Sequence, residues 1–353
     1  MGCIMMNLVS ELEFRLVSFD SMGAKSSCIF VKTPDTSILI DPGAAILQKS
    51  FPLSDSQKQF YLRCAIHKIK EEMKEAEHII ISHYHFDHYM VDEDSCKTYL
   101  NSNMWIKDPN RWINHSQWGR SRKFLQLLSR FKGTTLKYSP PMQCHYKDPV
   151  ECLPLAFSMD FGDYQKRREE LISRWRKRFL KMQKYWSSEK WVEPVSAKIH
   201  FSDGCEFETG NTRVRFSRPL FHGIEYSATG WVIATVIEYG GKKLLHTSDL
   251  QGPVIEDQAQ WIIDENPDIL ILDGPPTYLL GYLLNRINLD RSINNIIRII
   301  KESVPELTIY DHHLLRDPLY RERTAKVWDI AEEVDVSIMT AAEYKGIVPL
   351  VLK

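Results

Sequence analysis

Apolar residues gather in short runs at the start of the chain, at positions 14–19, 27–32 and 37–40, separated by Gly23 and by Pro34-Asp35. Runs of this length bounded by turn residues read as strands, and three in succession predict an antiparallel meander. Between 55 and 75 the period changes. Phe60, Tyr61, Cys64, Ile66, Ile69 and Met73 recur among charges at the spacing of an amphipathic helix. The apolar run Ile79-Ile80-Ile81 then predicts a buried strand reached by a crossover. Residues 90–160 carry Pro109, Gly119, Gly133, Pro140, Pro141, Pro149 and Pro154, punctuation too dense for a regular layer.

A second helical period covers 164–190. Leu171, Trp175, Phe179, Met182 and Trp186 form its apolar stripe, and Lys166, Arg167, Arg168, Arg174, Arg176, Lys177, Arg178, Lys181 and Lys184 occupy the remaining surface. From His200 the strand pattern returns at 213–218, 229–239 and 243–247, with Gly240-Gly241 as a two-residue hairpin turn. Residues 267–273 and 307–311 are buried strands that end in carboxylates, with helices at 292–303 and 324–333. Strands alternating with helices in this half predict an outer helical layer. No short repeat is present, which excludes a solenoid.

Composition narrows the reading. The 353 residues, 43% of them hydrophobic, hold ample core, and 45 Lys and Arg against 46 Asp and Glu give no global argument for a polyanionic or membrane partner. Residues 1–10 lack a basic lead, and no stretch approaches the roughly 20 apolar residues of a membrane span. A cytoplasmic protein with no membrane contact is expected. Seven scattered cysteines without a C-x-x-C pair argue against a disulfide framework and against a thiolate zinc site.

The candidate chemistry lies where the apolar run 79–81 ends in Ser82-His83-Tyr84-His85-Phe86-Asp87-His88. His83 and His85, two apart in extended chain, point the same way and suit one ion, while Asp87 and His88 begin the next turn and face a second. Imidazole and carboxylate without thiolate favour zinc, with manganese or iron as alternatives. A pair of such ions generates a hydroxide and holds both oxygens of a displacement.

His83-x-His85-x-Asp87-His88 resembles the signature of the metallo-β-lactamase superfamily. Further segments fit its motif order: Asp41-Pro42-Gly43 after an early strand, Phe221-His222-Gly223, Ser248-Asp249 and Asp311-His312-His313. Together with Asp273-Gly274-Pro275-Pro276 these look nearest to an uncharacterised archaeal branch. The resemblance implies a four-layer αββα sandwich in which residues 1–353 form one domain, with an insertion at about 100–195 that holds a basic loop and the basic helix. It also implies two divalent metal ions. His83, His85 and His222 would hold the first, Asp87, His88 and His312 (or His313) the second, with Asp249 bridging. Asp41, His246 and Asp273 would support the ligands from behind, and Asp87 or Asp249 would take a proton. The expected function is a dinuclear hydrolase that uses a metal-bound hydroxide on an ester-type bond, either a phosphodiester or a lactone with an anionic group. The alternative is a catalytically idle, metal-stabilised module that binds nucleic acid or protein.

Two segments suggest how an anion would be held. The stretch 105–123 is dense in cations, amides and tryptophan, and Arg111, Asn114, His115 and Arg120 in it are the substrate-binding candidates. The basic helix 164–190 offers a route to nucleic acid.

Overall fold

The computed structural model describes residues 11–353, so the expectation for residues 1–10 and Cys3 lie outside the described residues. One sheet holds β1 (Glu13–Phe19), β2 (Ser27–Lys32), β3 (Ser37–Ile40), β4 (His78–Ile81), β5 (Asn103–Ile106) and β6 (Ile199–Phe201), paired in that order. The first three are antiparallel and the rest add in parallel. The other sheet holds β7 (Glu206–Thr209), β8 (Thr212–Phe216), β9 (Thr235–Tyr239), β10 (Lys242–His246), β11 (Ile269–Asp273), β12 (Leu307–Asp311) and β13 (Ile338–Met339), again in chain order. It is antiparallel up to β10 and parallel beyond. Each half of the chain therefore builds an antiparallel ribbon followed by parallel strands.

Parallel neighbours need long connections. Helix α1 (Asp55–Glu75) links β3 to β4, and α2 (Glu93–Asn101) links β4 to β5. Ser54 starts α1 with a capping box, its hydroxyl accepting from Gln57 N (3.3 Å) while Gln57 Oε1 accepts from Ser54 N (2.9 Å). Helices α3 (His115–Phe131) and α4 (Gln165–Ser188) follow, then α5 (Glu256–Glu265), α6 (Arg286–Ser303) and α7 (Ala325–Glu333).

Side-chain alternation sorts these elements into layers. Ile80 of β4 joins Ile38, Ile40, Ile237, Leu244, Ile269 and Ile271 in a core shared by both sheets. Its neighbours Ile79 and Ile81 point the other way, onto Ile69, Met73, Tyr99, Phe124 and Trp186 of α1 to α4. In β11, Leu270 and Leu272 likewise face Ile262, Ile296, Ile299 and Val327 of α5 to α7. A strand apolar on both faces requires cover on both, and the result is the αββα sandwich. No helix among the described residues is long and apolar enough to cross a membrane.

Three expectations change. Residues 90–131 are regular, holding α2, β5 and α3. Gly119, read as punctuation, lies inside α3 with open space around it, at a cost of about 1 kcal/mol that the buried Trp118, Phe124, Leu125 and Leu128 offset. The run 229–239 is split: Trp231–Val232 pairs with Leu220–Phe221 as a separate ribbon, and Ile233 N donates to Ser82 O (3.2 Å) before β9 begins. In α4 the buried stripe runs through Ile172 rather than Leu171, and Arg168, counted on the basic surface, is buried. Its guanidinium donates to Glu225 Oε1 (2.7 Å) and Ala156 O (3.2 Å) and lies over the Phe161 ring (4.4 Å), so its charge is answered inside the fold.

Candidate metal centre

The ends of β3, β4, β10, β11 and β12 and the 220–222 ribbon deliver polar side chains to one edge of the sandwich. His83, His85, His222 and Asp249 each offer a ligand-type atom, and these atoms lie within 4.8 Å of one another. Asp87, His88 and His312 form a second such group. Asp249 lies between the two. Its Oδ2 is 3.4 Å from His83 Nε2 and 3.5 Å from His222 Nε2, and its Oδ1 is 3.2 Å from His88 Nε2 and 3.0 Å from His312 Nε2.

Hydrogen bonds fix which nitrogen faces inward. His88 Nδ1 is 2.9 Å from Asp41 Oδ2, and a carboxylate with no proton only accepts, so Nδ1 carries the hydrogen and Nε2 presents a lone pair. Burial works to raise the Asp41 pKa, but His88 overcomes it and keeps the carboxyl ionised. His312 repeats the design on the other side, Nδ1 to Asp20 Oδ1 at 2.7 Å. His88 Nε2, His312 Nε2 and Asp249 Oδ1 are buried without a hydrogen-bonding partner. Three orphaned atoms of ligand type that converge are what a divalent cation would satisfy.

Burial alone would lower the His88 and His312 pKa, yet Asp249 with Asp41 or Asp20 raises both well above the ordinary value. Burial lowers His85 and His222 well below it. Burial likewise opposes ionisation of Asp249, but His88 and His312 hold it well below the usual carboxylate range.

The supporting residues form a chain. His246 Nε2 donates to Ser27 O (2.9 Å), leaving Nδ1 to accept from Ser248 N (3.2 Å). Ser248 Oγ donates to Ser82 Oγ (2.7 Å), and Ser82 Oγ donates to Asp41 Oδ2 (2.7 Å). Asp273 accepts from Gln251 N (2.7 Å) and His313 N (3.1 Å), and His313 Nδ1 lies 3.1 Å from it. Burial pushes the Asp273 carboxyl up to about 7. His313 also lies beside Asp249 and His312, in a third group of ligand-type atoms. Asp41, Ser248 and His312 have φ of 50°, 54° and 59°, conformations that cost a non-glycine residue energy and turn the chain sharply out of its strand.

Five further residues had no role assigned from the sequence. Asp20, Ser82, Gln251 and Arg316 contact the ligand-type residues, and Ser248 reaches them through Ser82. Arg316 Nε donates to Asp20 Oδ2 (2.6 Å), and its Nη2 lies 3.4 Å from Asp87 Oδ2. Asp20 had a readable signal, a carboxylate at a strand exit like Asp41, and Ser82 and Ser248 stood inside the quoted motifs without a role; Gln251 and Arg316 had none. Gly43 is required by close approach, because a Cβ there would come within 2.1 Å of Tyr89 N and 2.5 Å of His88 C. Gly43→Ala is expected to lose about 1–3 kcal/mol of stability and part of the bound metal, read by thermal unfolding and elemental analysis.

The four substrate candidates are engaged with protein. Arg111 Nε donates to Asp108 Oδ2 (2.8 Å), and the His115 ring packs on Tyr185 (4.5 Å). Asn114 caps α3 and donates to Ala228 O and Thr229 O, both at 2.8 Å. Arg120 donates to Tyr84 O (3.3 Å) and lies over Phe86, directly behind the histidine loop.

Fold and site together define a class: the chain belongs to the metallo-β-lactamase superfamily, whose family signature matches residues 23–154. Within it, the chain belongs to the archaeal UPF0282 family. It is 31% identical to the UPF0282 protein of Korarchaeum cryptofilum, over 93% of this chain and 87% of that one, and 30% identical to that of Methanocaldococcus jannaschii, over 93% and 89%. Among solved structures, the metallo-beta-lactamase fold protein YhfI from Bacillus subtilis is similar at 12% identity, covering 93% of this chain and 95% of its own, with a TM-score of 0.43.

Proposed function

We propose that this protein is a dinuclear metal-dependent hydrolase acting on an ester-type bond, a phosphodiester or a lactone, in a substrate that carries an anionic group. The observation that carries the reading is the placement of Asp249, whose two oxygens face two separate histidine groups, His83 with His222 and His88 with His312. In this reading His83, His85, His222 and Asp249 hold one cation, and Asp87, His88, His312 and Asp249 hold the other. Zinc suits the imidazole-rich donor set best, with manganese and iron as the alternatives. Bound there, two divalent cations supply Lewis acidity and acidify a water at neutral pH.

The chain's own residues do the rest. Asp41 and Asp20 hold His88 and His312 in the tautomer that turns Nε2 inward. Asp87 or Asp249 receives the proton released by the attacking water. The buried edge excludes bulk water and so strengthens each charge interaction within it.

Elemental analysis is expected to find close to two metal ions per chain. Generic chromogenic phosphodiesters, phosphomonoesters and lactones, assayed after separate reconstitution with zinc, manganese and iron, then identify the bond that is cleaved. A chain that takes up no metal even after reconstitution sinks the proposal.

A further inference from the structure

We propose that Lys25 binds the anionic group of the substrate, an oxyanion of phosphoryl or carboxylate type, at the side of the site formed by Asp87, His88 and His312. This inference rests on the hydrolase reading and names what recognises its substrate.

Lys25 is pinned beside the ligand-type residues by backbone geometry. Its N–H donates to Ala45 O and its carbonyl accepts from Ala45 N, both at 2.9 Å, which joins it to the segment after Asp41-Pro42-Gly43. Its neighbour Ser26 donates N–H to Asp20 Oδ1 (3.0 Å) and Oγ–H to Gly43 O (2.7 Å), and its carbonyl lies 3.1 Å from His312 Nδ1. The side chain is half-buried, close enough to Arg316, Asp20 and Asp87 for all three charges to act on it.

The ammonium differs from the other cations of the interior. Arg316 is paired with Asp20, Lys107 with Asp203, and Arg168 and Arg291 with Glu225. Among the described residues the Lys25 side chain makes no hydrogen bond or close ion pair, and Asp20 and Asp87 act on it only at longer range. Holding a partly desolvated ammonium without a contacting counter-ion costs free energy, and an incoming oxyanion recovers it. The nearby carboxylates do not fill that role in the loaded protein. Asp20 is neutralised by Arg316, and in the proposed site Asp87 and Asp249 are occupied by cations, so the corner is left with net positive charge. A compact ammonium on a flexible stem suits a terminal oxygen of either anion type.

The test titrates inorganic phosphate and, separately, sodium acetate into metal-loaded wild type, Lys25→Met and Lys25→Arg by calorimetry, with metal content and thermal midpoint recorded for each. Lys25→Met is expected to weaken binding of at least one anion about tenfold or more, with metal content unchanged and binding largely kept in Lys25→Arg. The anion that responds tells a phosphoryl from a carboxylate group. Equal affinities for both anions in wild type and Lys25→Met overturn the proposal. If the wild type takes up no metal, the hydrolase reading fails by that measurement and the Lys25 proposal falls with it, whereas metal uptake with equal anion affinities overturns the Lys25 proposal alone.

Discussion

Replacing His83 and His85 together by alanine is expected to remove at least one metal ion per chain and to reduce hydrolysis by about a thousandfold or more, since a bound cation supplies several kcal/mol of charge stabilisation in the transition state. The two side chains provide half of the four-residue group His83, His85, His222 and Asp249. Their removal leaves one imidazole and one carboxylate there, too few to hold a cation tightly. The fold is expected to persist. His83 and His85 follow β4 rather than lying in it, and the strand is held by Ile79, Ile80 and Ile81 in two cores. Elemental analysis, activity and circular dichroism check the three parts. Full metal content in the double variant would dismiss the ligand assignment, and loss of cooperative unfolding would make the metals structural.

Glu225→Gln is expected to destabilise the protein by about 3 kcal/mol at pH 7, because it leaves buried guanidinium charge uncompensated. Glu225 Oε1 accepts from Arg168 Nη2 (2.7 Å) and Arg291 Nη2 (2.8 Å), joining α4 to α6 three residues beyond His222. Arg291 keeps Glu256, at 2.9 and 2.7 Å, but Arg168 keeps only a carbonyl and aromatic rings. Burial raises the Glu225 pKa and Arg291 together with Arg168 more than reverses it, so the folded value lies below the unfolded one. A depressed carboxyl contributes stability that is fully present above its unfolded pKa of about 4.3 and is lost as pH falls through the folded value. The gap between wild type and variant, measured by urea unfolding, is therefore expected to be full at pH 7 and to narrow below about pH 4. A gap independent of pH would show that shape, not charge, accounts for the difference.

The sequence carried the site's location because ligand-type residues follow apolar strands directly. Ile79-Ile80-Ile81 before His83, and the buried strands before Asp249 and His312, place their exits at one sheet edge by local pattern alone. The outer helical layer was legible from strands alternating with helices in the second half, whereas the four-layer sandwich came only as what the resemblance implied.

What the sequence by itself determined is thus the local part: most strands and helices outside residues 90–131, where the chain turns out of them, and that histidines and carboxylates stand at those exits in the superfamily's order. What only the tertiary structure decided depends on residues far apart in the chain. Sequence position favoured His312 over His313 and left both open; the sharp turn at φ 59° sends His312 Nε2 to within 3.0 Å of Asp249 Oδ1 while His313 Nδ1 meets Asp273 at 3.1 Å. Asp20 acquires a role only because it meets His312 and Arg316 across 292 and 296 residues. Arg168 looked like one cation among many on a basic helix until Glu225 was placed against it. The physical reason is the range of the forces: propensity and hydrophobic period act over a few residues, whereas the state of a charge is set by what the whole fold packs around it.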